Sequence, residues 1–247
     1  MPRPALSRHF SNHLSRHLSR HLSHLPSQCE VCRRWAGARL CSDCLARFAA
    51  PVPRCGRCGL RLGLPAPACG DCLRERPAFE HTVCAVDYAF PWDHLIAEFK
   101  FRGQAELATP LAARLTEAVQ AHTGPPPQWV VPVPLSPQRL AERGYNQAWE
   151  LARRVGAACG LPARADVLLR ALDSAHQADL GRTQRQHNLR SAFFVDARQR
   201  AALQQRRVAL VDDVMTTGAT AREAAAALLR AGAAAVDVWV LARTPER

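Results

Sequence analysis

From about residue 77 onward, short apolar stretches alternate with longer segments whose apolar residues recur at helical spacing. Thr82 to Phe90 has the β-branched, apolar texture of a strand and is stopped by Pro91. Trp92 to Lys100 then puts Leu95, Ile96 and Phe99 on one helical face, and Gly103 can end that helix. A second helix is predicted over Ala105–His122, terminated by Gly124-Pro125-Pro126-Pro127. Trp129 to Pro134 returns to a strand pattern, after which Ser136 supplies an N-cap and Pro137 a first helical residue. If the helix beyond stays continuous through Gly144, Arg139, Arg143, Asn146, Gln147 and Glu150 share one polar face. Ala192 to Asp196 and Ala234 to Leu241 read as further strands. Between them, Val208 to Val211 is the uninterrupted apolar run of a strand buried on both faces, followed by an alanine- and leucine-rich helix to about Ala231. Strands alternating with helices predict an α/β domain built on a mostly parallel, open sheet flanked by helices.

Candidate chemistry is densest where the buried run ends. Asp212 and Asp213 arrive together at its carboxyl end, and Thr216-Thr217-Gly218-Ala219-Thr220 forms a small-residue turn that opens the next helix. A ligand at such a strand end meets free backbone N–H groups and the positive end of the helix dipole, which favours an anion. Gly218 lets the backbone approach closely, and the threonine hydroxyls add donors. Two carboxylates do not suit the anion itself. They suit hydroxyl groups or a hydrated cation, so the implied ligand is a phosphorylated sugar. The strand end at Pro134 and Leu135 leads to a helix with Arg139 and Arg143 near its start, a second anion site, since guanidinium forks match phosphate oxygens.

Upstream, the texture is set by cysteine. Eight of the ten cysteines form four C-x-x-C pairs between residues 29 and 72. Cys29, Cys32, Cys41 and Cys44 make one set, and Cys55, Cys58, Cys69 and Cys72 the other. Two knuckles joined by a small loop supply the four thiolates of tetrahedral Zn²⁺, which here would provide most of the folding free energy. Two structural zinc ribbons are predicted. Spacing alone leaves open pairing between the sets and occupancy by a single zinc. Clustering of this kind points to a reducing, cytoplasmic setting rather than a disulfide framework. Cys84 and Cys159 stand outside the pattern and are expected to be buried thiols.

Charge adds a preference for anionic partners: 33 basic against 21 acidic residues give a net charge of +12. Arginine carries nearly all of it, because Lys100 is the only lysine. No apolar run reaches the length of a membrane span. Residues 1–28 contain no acid and repeat a four-residue unit that places His9, His13, His17 and His21 at helical spacing. A basic membrane-surface helix, a histidine metal array and a transit peptide compete with the simplest reading, a disordered low-complexity extension without the apolar core of a secretory signal. Residues 173–190, with Arg182, Arg185 and Arg190, are polar enough for a mobile arm that closes over a ligand. The expected organisation is therefore an extension over 1–28, a double zinc ribbon over 29–76 and an α/β domain over 77–247.

Residues 208–220, V-A-L-V-D-D-V-M-T-T-G-A-T, resemble the 5-phosphoribosyl-1-pyrophosphate (PRPP) binding motif of the type I phosphoribosyltransferases. V-P-V-P-L-S-x-x-R-x-x-x-R-G-Y-N-Q-A, Phe99 to Gly103, Gln177 and the run Arg182 to Asn188 further resemble the ComF family of competence-associated proteins. Members of that family join a double zinc ribbon to a type I phosphoribosyltransferase domain. The resemblance implies that Asp212 and Asp213 hold the ribose hydroxyls, partly through Mg²⁺, and serve catalysis. It implies that Thr216, Thr217, Gly218, Ala219 and Thr220 hold the 5′-phosphate. Pro134, Leu135, Arg139, Arg143, Lys100 and Arg185 then face the pyrophosphate. Some purine-salvage members carry an acid at the place of Thr216, so a threonine there disfavours a purine acceptor of that kind. The glutaminase domain of the amidotransferases has no counterpart here. Two functions are implied: phosphoribosyl transfer to an acceptor with release of pyrophosphate, or non-catalytic PRPP or nucleotide binding in the uptake and processing of single-stranded DNA beside a competence helicase.

Overall fold

Two cysteine-rich knuckles precede the sheet, and the computed structural model describes residues 27–170 and 192–246. The histidine repeat and the arginine-rich segment with Gln177, Arg182 and Arg185 lie outside the described residues. The chain divides into two units between Arg47 and Phe48.

The first unit pairs β1 (Ser27–Gln28) antiparallel with β2 (Trp35–Ala36) and continues into α1 (Ser42–Phe48). Among its described residues, Cys29, Leu40 and Cys44 are the buried side chains. So small a buried set is one that a crosslink between the cysteines would stabilise.

The second unit opens with the other cysteine set, where Cys55, Cys58, Leu60, Ala68 and Cys72 cluster around α2 (Gly70–Arg74). Then come β3 (Thr82–Asp87), α3 (Trp92–Phe101), a 3-10 turn (Ala105–Leu107) leading into α4 (Ala108–Gln120), and β4 (Trp129–Pro132). Next are α5 (Pro137–Arg143), α6 (Gln147–Cys159), β5 (Leu168–Arg170) and β6 (Phe193–Val195). The chain closes with α7 (Arg200–Leu203), β7 (Arg207–Met215), α8 (Ala219–Arg230) and β8 (Ala235–Arg243).

Four strands form one parallel sheet in the order β3-β8-β7-β4, so the last two strands of the chain occupy its centre. Every residue of β8 is buried, as a central parallel strand covered on both faces requires. Val208 and Leu210 of β7 pack with Val236, Val238 and Val240 of β8 against Ala221, Ala224, Ala225 and Leu228 of α8. The alternate residues Ala209 and Val211 are equally buried, and α4 and α6 pack on the sheet as well. Burying a side chain such as Leu210 or Leu228 contributes about 2 kcal/mol. β6 lies apart from this sheet, pairing antiparallel with β5 in a two-stranded ribbon.

Two expectations are corrected. The helix beginning at Pro137 does not run through Gly144: that residue adopts φ 76° and ends α5, its N–H donating to Leu140 O. Asn146 then caps a separate helix, its Oδ1 accepting from Ala148 N at 2.9 Å and Trp149 N at 3.3 Å. The single polar face is therefore broken: Gln147 is buried, and Glu150 turns to Arg153 and Arg154. Cys159 is only partly buried, because it ends α6, whereas Cys84 on β3 is buried as expected.

At the amino ends of the strands Arg207 holds two acids, Asp237 at 3.1 Å and Glu80 at 2.8 Å, with His81 Nδ1 3.2 Å from Asp237. Glu80, His81 and Asp237 are close enough to share a metal ion, but the Arg207 guanidinium already bonds both acids.

Candidate functional site

The acid pair stands where β7 outruns one neighbour. β4 is last paired at Pro132 opposite Val211, whereas β7 stays paired with β8 through Met215 opposite Arg243. Asp212 and Asp213 therefore sit at the carboxyl edge of the sheet, inside a strand that continues past the apolar run on one side only. Asp213 is 6% exposed, and its Oδ1 lies 2.8 Å from Lys100 Nζ. Asp212 turns its carboxylate back to accept from the Asp213 N–H at 2.9 Å. Enclosure of the Asp212 carboxyl, then the neighbouring charge of Asp213, raise its pKa to about 8 against the opposing pull of Lys100. Lys100, the sole lysine in the sequence, is thus the cation set against the acid pair.

Beyond Met215 the chain turns through exposed Thr216 and Thr217 to Gly218, whose φ of 80° is open to glycine at little cost. Thr217 Oγ1 accepts from Ala219 N at 3.3 Å, at the mouth of α8. A cavity of about 30 Å³ opens here, lined by Asp212, Thr216, Gly218, Ala219 and Thr220 among others. Helix N-terminus, hydroxyls and glycine turn thus adjoin the acid pair, as the spacing of residues 212–220 predicts.

The other candidate residues converge less completely. Pro134 and Leu135 are half-buried in the loop after β4, and Ser136 Oγ accepts from Arg139 N at 3.4 Å to start α5. Arg143 places its guanidinium 5.0 Å from the Phe101 ring centroid and donates to Gln147 Oε1 at 3.1 Å. Phe101 follows Lys100 on α3, so Arg143 packs against the end of the helix that carries the lysine. The Arg139 side chain is exposed on α5, and Arg185 lies outside the described residues. Sequence reasoning left two residues out of the site. Gln147 is 1% exposed with an unpartnered Nε2 beside Arg143. Arg243 is buried at the end of β8, and the only signal for it is a charged residue closing an apolar run.

The cysteines assemble as the sequence order predicts. In each set of four, Cys29-Cys32-Cys41-Cys44 and Cys55-Cys58-Cys69-Cys72, the sulfurs lie within 4.8 Å of one another. The sets repeat one geometry: Cys41 N donates to Cys29 Sγ at 3.4 Å, and Cys69 N to Cys55 Sγ at 3.2 Å. Burial pushes the Cys29 and Cys55 thiols up, but backbone N–H donors win and bring them down to about 6 and about 7. Cys44 and Cys58 are raised by burial to about 12 and about 11. Four soft thiol ligands around one point fit a single tetrahedral Zn²⁺, and a thiolate anchored by N–H donors is the usual outer-shell arrangement.

The parallel sheet, its flanking helices and the acid-pair-to-turn segment on a central strand make this the type I phosphoribosyltransferase fold. No family model matches the chain. Among solved structures it is similar to a glutamine PRPP amidotransferase from B. subtilis complexed with ADP and GMP, at 18% identity and a TM-score of 0.43. That match covers 59% of this chain and only 30% of the larger one. It is also similar to an adenine phosphoribosyltransferase from Leishmania donovani, at 14% identity and a TM-score of 0.36, over 67% of this chain and 71% of that one. Curated relatives are nearer in sequence. Competence protein F of Haemophilus influenzae is 36% identical over 176 residues, covering 70% of this chain and 76% of that protein. Competence protein ComFC of Bacillus subtilis is 34% identical over 151 residues, covering 60% and 58%. The DNA utilization protein YhgH of Salmonella typhi is 35% identical over 230 residues, covering 89% of this chain and 98% of that protein. The chain belongs to the ComF family of competence protein F and the DNA utilization protein YhgH.

Proposed function

We propose that this protein binds PRPP at the carboxyl edge of its sheet and transfers the phosphoribosyl group to an acceptor, releasing pyrophosphate. The observation that carries the reading is the continuity of two subsites on one segment: Asp212 and Asp213 stand at the end of β7, and the Thr216–Thr220 turn follows at the N-terminus of α8. In the reaction the acceptor's lone pair forms a bond to ribose C1 as the bond from C1 to the pyrophosphate oxygen breaks, leaving both electrons with pyrophosphate. No side-chain nucleophile is needed, so positioning and charge neutralisation are what the protein supplies. Asp212 and Asp213 orient the ribose hydroxyls and face the positive charge that builds on the ring. Residues 216–220 anchor the 5′-phosphate through backbone N–H groups and hydroxyls. Lys100 and Arg143, with Arg139, Pro134, Leu135 and Arg185, serve the pyrophosphate side.

Two adjacent carboxylates are a donor set that suits Mg²⁺, which keeps its waters and shares phosphate oxygens. When bound, Mg²⁺ would neutralise the departing pyrophosphate. Zinc at both cysteine sets is part of the same proposal, with a structural role. The test is calorimetry with PRPP and Mg²⁺ on the wild type and on Asp212→Asn with Asp213→Asn. Loss of binding in the double variant supports the site, and unchanged affinity removes it. Metal analysis of protein purified without chelator is expected to find two zinc ions per chain, and none would refute the ribbons.

A second reading is favoured by the names of the relatives, competence protein F and DNA utilization protein YhgH. Here PRPP or a nucleotide binds without turnover, and a chain of net charge +12 acts on single-stranded DNA or a partner helicase. Trp35 is an exposed aromatic in the zinc-binding region, so few rings are available for base stacking. Pyrophosphate release from PRPP across a panel of bases and amines, beside a salt-dependent single-stranded DNA titration, separates the two.

A further inference from the structure

Arg243 is a buried cation with no carboxylate at ion-pair distance among the described residues, and Asp71 and Glu246 line the cavity it borders. It is 9% exposed, and among the described residues its hydrogen bonds all go to backbone carbonyls. Its Nε donates to Cys58 O at 3.1 Å, in the knuckle of the second cysteine set. Its Nη1 donates to Met215 O at 3.3 Å, to Thr216 O and to Thr244 O at 2.9 Å. One guanidinium therefore joins a candidate zinc ligand to the last residue of β7 and the first of the proposed phosphate-binding turn. Carbonyl acceptors have a consequence that carboxylates would lack: they are fixed by the main chain, so a shift in any one segment is felt by the others.

The knuckle is built into the sheet around this contact. Thr82 at the start of β3 takes part twice, its N–H donating to Gly56 O at 2.9 Å and its hydroxyl to Arg57 O at 2.6 Å. Arg54 donates to Asp87 Oδ1 at 2.7 Å and to Gly59 O at 3.2 Å. A Cβ at Gly59 would lie 2.9 Å from Thr82 Cγ2, so backbone and strand are in closest contact there. Cys58, Cys69 and Cys72 also share with Thr216, Thr217 and Arg222 the walls of one cavity of about 280 Å³. Within the knuckle, Cys55 N donates to Leu60 O and Gly59 N to Cys55 O, so crosslinking the sulfurs fixes the Cys58 carbonyl too. Because a peptide group is planar and trans, a Thr216 carbonyl held toward Arg243 turns the Thr217 N–H to the opposite side, away from the knuckle.

We propose that Arg243 is a positioning residue that makes the phosphate-binding turn depend on the metal state of the second cysteine set. The inference rests on the PRPP reading for its ligand, but its structural part stands independently. With the sulfurs crosslinked, Cys58 O stays on Arg243, and Arg243 holds the carbonyls of Met215 and Thr216 in the binding arrangement. With the crosslink lost, the guanidinium loses one fixed acceptor and the turn loosens.

The test uses the full chain carrying zinc, in the wild type, Arg243→Lys and Cys58→Ser. Amide hydrogen exchange is read at residues 216–220 and, as an internal reference, in β4. Arg243→Lys keeps the charge but has no Nε–H to hold Cys58 O while its one ammonium serves the turn carbonyls, and a lost bond to a charged donor corresponds to roughly tenfold or more. Exchange in the turn is expected to rise by that factor with β4 and zinc content unchanged, and PRPP affinity to fall by a similar factor. Cys58→Ser is expected to speed the turn in the same way, and Arg243→Lys reports even if Cys58→Ser does not fold. Wild-type exchange in the turn of Arg243→Lys, or of a folded Cys58→Ser that has lost its zinc, overturns the inference. If the turn loosens while the wild type binds no PRPP, the coupling holds and the ligand assignment fails.

Discussion

Lys100 Nζ lies 2.8 Å from Asp213 Oδ1, with only 18% and 9% of the two side chains exposed. The only lysine in the sequence thus neutralises one of the two acids at the sheet edge. This gives a site-specific probe, because reductive methylation with ¹³C-formaldehyde labels Lys100 and otherwise only the α-amino group. The Lys100 methyl resonance is expected away from that of an exposed lysine, to move toward it in Asp213→Asn, and to shift when PRPP is added. A wild-type resonance at the exposed position, unchanged by Asp213→Asn, would show that the ion pair does not form.

Asp212 gives the pH dependence. Its pKa is raised to about 8 by burial and then by Asp213, with Lys100 opposing. A carboxyl raised in the folded state adds stability that is fully present below its unfolded value, near 4, and is lost as the pH climbs through the folded value. Ligand- and metal-free protein should therefore weaken from about pH 5 to about pH 8.5, and Asp212→Asn should weaken less over that interval. Urea melts at the two pH values measure this. Equal losses in wild type and variant would mean that the Asp212 carboxyl is not raised.

Much of this site could be read from the chain because its parts are contiguous. The apolar run Val208–Val211, the two acids and the Thr216–Thr220 turn lie within thirteen residues and one strand-turn-helix unit. Cysteine order likewise points to two local sets, although spacing alone leaves pairing between them open and only the structure shows which sulfurs meet. What escaped depends on long-range contacts. Arg243 donates to carbonyls of Cys58 and Met215, and nothing in an apolar strand ending in R-T-P announces that. The break at Gly144 was hidden because helical spacing resumes beyond it, and Asn146, seen as part of a polar face, is the cap of the next helix. Asp237 was passed over as one polar residue in β8, though Arg207 and His81 make it a buried anchor.

That anchor gives a stability prediction remote from the site. Asp237 is 4% exposed and bonds Arg207 at 3.1 and 3.2 Å. Removing the acid leaves the Arg207 charge against the half-exposed Glu80 alone, and breaking a buried pair costs about 3 kcal/mol. Asp237→Ala should lose about that much in a urea melt while zinc content and PRPP affinity stay at wild-type values. A loss under about 1 kcal/mol would mean that Glu80 and water compensate Arg207 fully.

Gly218 separates conformation from space at the phosphate turn. A Cβ there would have its nearest neighbour, Met215 Sδ, at 3.6 Å, an ordinary contact, so an alanine fits. The difficulty is φ at 80°, where a residue other than glycine costs about 1–2 kcal/mol, offset in part by about 0.4–1 kcal/mol from a less flexible unfolded chain. Gly218→Ala should therefore be destabilised by about 1 kcal/mol, a fall in Tm of roughly 2–4 °C for a chain of this size. Asparagine tolerates the left-handed region better, so Gly218→Asn should recover part of that loss. If the proposed PRPP site is right, both variants should bind PRPP more weakly, since in that site the turn holds this conformation to aim its N–H groups at the 5′-phosphate. Thermal melts with and without PRPP give both quantities. An alanine variant more stable than wild type would mean that the turn does not need a left-handed residue, and the anion site would have to be drawn differently.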